Sequence, residues 1–143
     1  MNIHRVEARR WLQQARADLE VVKTLRSAGH YAAACFHSQQ AAEKALKAVL
    51  YSQGARVVLG HAAGEFVRQC QSLDVAFANL LGDAALLDQF YIPTRYPNGL
   101  PTPAVPSESY SESQAKDAQQ AAERVLQIVE AYLRSHGCVS EDS

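Results

Sequence analysis

Apolar residues return every three or four positions along most of this chain, the period of α-helices that bury one face. The rest is organised around Tyr31–Tyr51, twenty-one residues without Gly or Pro. They are rich in Ala, Leu, Lys, Gln and Glu, which lose least on entering a helix. At ~1.5 Å per residue this helix spans roughly 30 Å, the depth of a small domain. Ala34, Cys35, Ala41, Ala42, Ala45 and Val49 form one apolar face, and Ala32, Phe36, Leu46 and Leu50 form a second. Two such faces place the helix inside a bundle, or between a bundle and a second subunit; a second face left exposed argues for a homodimer. His37, Gln40, Lys44 and Lys47 share a polar stripe, with Glu43 able to pair with Lys47 at i,i+4.

The other elements follow from the same period. A first helix over Val6–Ser27 buries Ala8, Trp11, Leu12, Ala15, Leu19 and Val22, with Trp11 as a core anchor. Asp18 lies at the edge of that stripe, where a carboxylate needs a cation such as Lys44 or Arg95. Ser27–His30 is a turn short enough to make an antiparallel hairpin of the first two helices. After a loop through Val57–Leu59, a short helix runs from His61 to Cys70. Asp74 caps another reaching Tyr91, with Gly82-Asp83 as a point of bending and Ile92-Pro93 as its end. Residues 93–110 hold all five prolines and are expected to be functional and partly disordered. Ser109 with Glu112 reads as a capping box for a last helix ending near Ser135, with Ala115, Ala118, Ala122, Val125, Val129 and Tyr132 on one stripe. The expectation is an all-α, antiparallel up-and-down bundle of four to five helices, one domain over residues 1–136 with a frayed tail over 137–143.

Composition narrows the function classes. Fourteen Lys and Arg against fifteen Asp and Glu give a net charge of -1, so any nucleic-acid contact has to be a local patch. Cys35, Cys70 and Cys138 show no CxxC pair and read as free thiols in a reducing cytoplasm, Cys35 inert on an apolar face. Neither a signal peptide nor a run of ~18 apolar residues is visible, so a soluble cytoplasmic protein without membrane contact is expected. The five histidines show no i,i+4 pairing, and no glycine-rich phosphate loop is present. Neither a metal nor a cofactor is expected.

The candidate chemistry centres on Tyr91–Tyr96. Arg95 can grip a phosphate through its bidentate fork, and Tyr91 and Tyr96 can stack on a base. The alternative is an arginine that clamps the loop through Asp18 or Asp88, with the tyrosines as packing. Several stretches in order, Ala15-Arg16-Ala17-Asp18-Leu19, Gly29-His30-Tyr31, the run Gln40–Ala48, His61, Arg95-Tyr96-Pro97 and the Ala-rich last helix, make the chain resemble the HEPN family (higher eukaryotes and prokaryotes nucleotide-binding). The resemblance implies a cleft between helices, often closed by a dimer mate. It nominates Arg95, Tyr96, Lys44 and Gln40 as its lining, with Tyr91, Asp18, Lys47 and His37 beside them. It further implies a module that binds a nucleotide or RNA phosphate beside a minimal nucleotidyltransferase, in a toxin-antitoxin-like pair. That partner can bind the domain or add AMP to a tyrosine, here Tyr96 or Tyr91. The ribonuclease branch of the family uses an Arg and a His a few residues apart. No His follows Arg95 before His136, whereas Arg56 and His61 fit the spacing at a different place. A metal-independent endoribonuclease acting through Arg56/His61 or Arg95, and a non-catalytic helical adaptor, are the alternatives.

Overall fold

The computed structural model describes residues 2–140. Among them are five α-helices and no strand: α1 (Ile3–Ser27), α2 (Tyr31–Ser52), α3 (Ala63–Gln71), α4 (Leu81–Asp88) and α5 (Glu112–Ser135). The expected all-α bundle is what forms. α1 begins ahead of its apolar stripe because the Asn2 side chain accepts from the His4 N–H at 2.9 Å. At its other end Gly29 takes φ 83°, a left-handed turn open to glycine. The His30 N–H then returns to the Leu25 carbonyl at 2.8 Å, and the chain reverses directly into α2.

α2 is the central element and packs against α1, α3, α4, α5 and the short 3-10 turn Pro106–Glu108. Ala34, Cys35, Ala41, Ala42, Ala45 and Val49 are fully buried. Small side chains on that face let neighbouring helix axes approach closely. The second face is covered in part: Leu46 and Ala32 are buried, while Leu50, packed against the core, and Phe36 are half-buried. Part of that face therefore stays open to solvent at Phe36 and Leu50. α5 buries the whole expected stripe from Ala115 to Tyr132. No described helix is long and apolar enough to cross a membrane.

Four local expectations change. The single helix expected from Asp74 to Tyr91 is a 3-10 segment, Val75–Leu80, followed by α4. Phe77 and Leu80, both buried, lie three apart, the repeat of a 3-10 turn, so the change falls before Gly82. The capping box is Ser111 with Gln114, not Ser109 with Glu112; the Ser109 hydroxyl is spent on the Val105 carbonyl. The proline-rich segment is anchored by buried Thr94 and Pro106. Beyond α5 the chain turns back instead of fraying at Gly137. Cys138 is buried, its N–H donates to the Leu133 carbonyl at 2.8 Å, and its own carbonyl accepts from Arg9. Of the expected tail, residues 141–143 lie outside the described residues.

If small side chains set the spacing around α2, Ala45→Leu should destabilise the fold by about 1–3 kcal/mol through overpacking. Urea denaturation followed by circular dichroism measures the difference.

Candidate functional site

The polar centre of the molecule is the buried carboxylate of Glu43 on α2. Its Oε1 receives Lys47 Nζ at 3.0 Å and lies 2.9 Å from His61 Nδ1, while its Oε2 accepts from Gln40 Nε2 at 2.8 Å. Lys47 has only 8% of its side chain exposed, and its ammonium lies 5.6 Å from the Trp11 ring centre and 5.3 Å from that of Phe66. Cation and carboxylate are thus removed from water together, and aromatic faces supply part of the lost solvation of the lysine. A hydrogen bond to this carboxylate requires a proton on His61 Nδ1, the tautomer that leaves Nε2 facing away from it.

The segment entering α3 is tied down by the same elements. Gln39 Nε2 donates to the His61 carbonyl at 2.7 Å. Asp88, at the end of α4, accepts from the N–H groups of Ala63 and Gly64 at 2.8 and 2.9 Å. A carboxylate at a helix N-terminus meets unpaired donors and the positive end of the dipole. His61 is therefore not the cap of α3; Asp88 supplies that role from a different helix.

The His61 ring stacks on Tyr91, with centres 5.0 Å apart. The Tyr91 ring also carries Arg95, whose guanidinium carbon lies 4.6 Å from its centre, 4.4 Å from that of Phe36 and 5.0 Å from that of Tyr96. Arg95 Nε donates to the Tyr91 carbonyl at 2.8 Å. Neither Asp18 nor Asp88 clamps it. No described residue hydrogen-bonds its terminal nitrogens, so aromatic faces and one backbone bond orient a fork whose outer donors are open.

A separate groove of about 610 Å³ lies along α1 and α2, lined in part by Trp11, Gln14 and Lys44. Lys44 Nζ binds Asp18 at 2.7 Å, and Gln14 donates to the same carboxylate at 2.9 Å. Of the two cations expected for Asp18, Lys44 is the one used. Trp11 is half-buried, not an enclosed core anchor, and stacks on Tyr51 at 5.1 Å. Burial pushes the thiol of Cys35 up to about 12, in keeping with an unreactive core residue.

The expected site residues thus fall into three groups. Arg95, Tyr91 and Tyr96 come together, joined by Phe36. Gln40 and Lys47 converge on Glu43 with His61, and Lys47 points inward, away from the open stripe expected of it. Lys44 and Asp18 satisfy each other at the other groove. Arg56 is exposed, with no hydrogen bond or ion pair among the described residues; it does not join His61. Glu43, Gln39, Asp88 and Phe36 matter to the site but were not among its expected members. Glu43 at i,i+4 from Lys47 was the one sequence signal for them.

A model of the HEPN domain matches residues 8–132, most of the chain. The chain belongs to the HEPN family. TT1696 from Thermus thermophilus, a solved structure, is 37% identical with a TM-score of 0.81, over 87% of this chain and 97% of that one. The archaeal HEPN homologue ST0689 is 34% identical with a TM-score of 0.73, over 93% and 99%. Among curated proteins, the chain is similar to one named "Putative toxin MJ1304" from Methanocaldococcus jannaschii, 29% identical over 134 residues, 89% of this chain and 88% of that protein.

Two measurements check the electrostatics of this HEPN domain. Lys47→Ala strands Glu43 in the interior and should cost about 3–5 kcal/mol in chemical denaturation. His37 has its pKa lowered, first by burial and then by Lys44, against an opposing pull from Asp18. Its folded pKa lies below the unfolded one, so the unfolded chain takes up the proton first. His37 therefore erodes stability as pH falls through the ordinary imidazole range around 6.5. His37→Gln should flatten that part of the curve of melting temperature against pH.

Proposed function

We propose that this HEPN domain is a binding module that holds a nucleotide or an RNA phosphate at Arg95 and acts beside a minimal nucleotidyltransferase in a toxin-antitoxin-like pair. The observation that carries the reading is the state of Arg95: its guanidinium lies close to three rings, its Nε is bound, and its outer donors have no partner among the described residues. Such an arginine is preorganised for an anion, because little of its rotamer freedom remains to be lost on binding. Tyr96, 50% exposed, offers a surface for a base or a hydroxyl for modification. The name "Putative toxin MJ1304" of the Methanocaldococcus jannaschii relative supports the paired arrangement.

A second reading, endoribonuclease action, is favoured by one observation. A buried carboxylate orients His61, and the Tyr91 ring joins it to Arg95. In that reading His61 Nε2 moves the proton and Arg95 steadies the charge on the phosphate, while Arg56 has no part.

For the binding module, AMP or a short RNA should raise the melting temperature progressively, by about 2.7 kcal/mol of stabilisation near 100 Kd. Arg95→Ala should abolish that rise while far-UV circular dichroism stays unchanged. A rise that persists undiminished in the variant refutes the assignment to Arg95. Incubating the protein with total RNA without metal should leave the RNA intact. Cleavage lost in His61→Ala and retained in Arg56→Ala decides for the ribonuclease.

A further inference from the structure

Arg95 separates two surroundings of opposite electrostatic character. Towards His61 stand the carboxylates of Glu43 and Asp88, and the lysine there, Lys47, is already bound to Glu43. Two negative charges against one positive one make this a poor place for a multiply charged anion. On its other side Arg95 lines a pocket of about 320 Å³, together with His30, Ala32, Ala33, Thr94 and Ser107 among others. Among the described residues no carboxylate lines it. Ala32 and Ala33 leave room in it, and Ser107 offers a hydroxyl. The buried Thr94 hydroxyl donates to the Phe90 carbonyl, leaving its oxygen able to accept but not to donate elsewhere. α2 starts at this pocket with no side-chain cap from His30, so the positive end of its dipole adds to the field of Arg95.

Building on the assignment of phosphate binding to Arg95, we propose that its ligand is a phosphomonoester seated in this pocket, on the side of Arg95 away from Glu43. Two features select a monoester over an internal diester. A monoester is a dianion near neutral pH and gains more from an arginine fork in a carboxylate-free pocket than a singly charged diester does. The volume also lies at the low end of the roughly 300–1,000 Å³ of small-molecule sites, suited to one nucleotide and not to a strand passing through. The same chemistry has two sources, a free mononucleotide or the phosphorylated 5′ end of an RNA.

The test compares two short RNAs of one sequence, labelled at the 3′ end, one with a 5′-phosphate and one with a 5′-hydroxyl, by fluorescence anisotropy. AMP and inorganic phosphate serve as competitors. The 5′-phosphate should improve Kd by about tenfold, and inorganic phosphate should erase the difference. Ala33→Glu places a carboxylate in the pocket at the third position of α2, where glutamate suits a helix start, and should remove the preference. Ala33→Gln, of the same size without the charge, should retain it. Competition by AMP at its own Kd identifies the mononucleotide as a source; an RNA preference that AMP does not erode identifies the strand end. Equal binding of both RNAs, weakened equally by Arg95→Ala, overturns the monoester pocket and leaves phosphate binding at Arg95 standing. A preference that survives Ala33→Glu also overturns the pocket. No binding of either RNA, AMP or phosphate removes both proposals.

Discussion

A carboxylate carried into a core of packed helices has to be satisfied there or be neutralised by a proton. Glu43 meets that demand with Lys47 one turn ahead, Gln40 one turn behind and His61 from the loop before α3. Because the first two partners share its helix, the third fixes where the loop must sit. His61 then supports Tyr91, and Tyr91 supports Arg95. The half-buried arginine is thus positioned by a chain of contacts that begins at a group with almost no solvent access. Apolar replacements for Glu43 and Lys47 could preserve stability, as buried ion pairs often allow, yet they would release the loop.

The near-zero net charge conceals this division of labour. Most cations close to the site already have an acidic partner within the chain: Lys44 has Asp18 and Lys47 has Glu43. Arg95 differs because rings, not carboxylates, hold it. Aromatic faces orient a guanidinium without cancelling its charge, so a chain of net charge -1 can still present a positive point. The long proline-bearing segment makes this possible by folding Thr94 and Pro106 inward and setting the tyrosines on either side of Arg95 against it.

The helices were legible because a 3.6-residue repeat is written directly in the order of apolar residues. The pairing of Asp18 with Lys44 was legible too, since a carboxylate beside an apolar stripe has few cations within reach. Lys47 differs from its expected place for a general reason: a polar stripe on a helix ordinarily faces water, and nothing near Lys47 announces that Trp11 and Phe66 will enclose it. Asp88 was invisible as a cap because caps are sought next to the helix they serve, whereas this one arrives from the far end of α4. The contacts of Arg95 were foreseen only as a choice between ligand and carboxylate. Packing on Phe36 depends on how α2 and the segment after α4 meet, which no local pattern specifies.

The cap that Asp88 lends to α3 also ties two short helices into one cooperative unit. α3 has nine residues and α4 eight, both below the roughly 12–15 at which an isolated helix becomes even marginal in water. When α4 loosens, α3 loses the acceptor for its first two amides and its only side-chain cap, so the two helices open together and not in turn. Such an opening also draws the loop away from Glu43 and Tyr91. The aromatic support beneath Arg95 is therefore coupled to the pair of helices least able to stand alone.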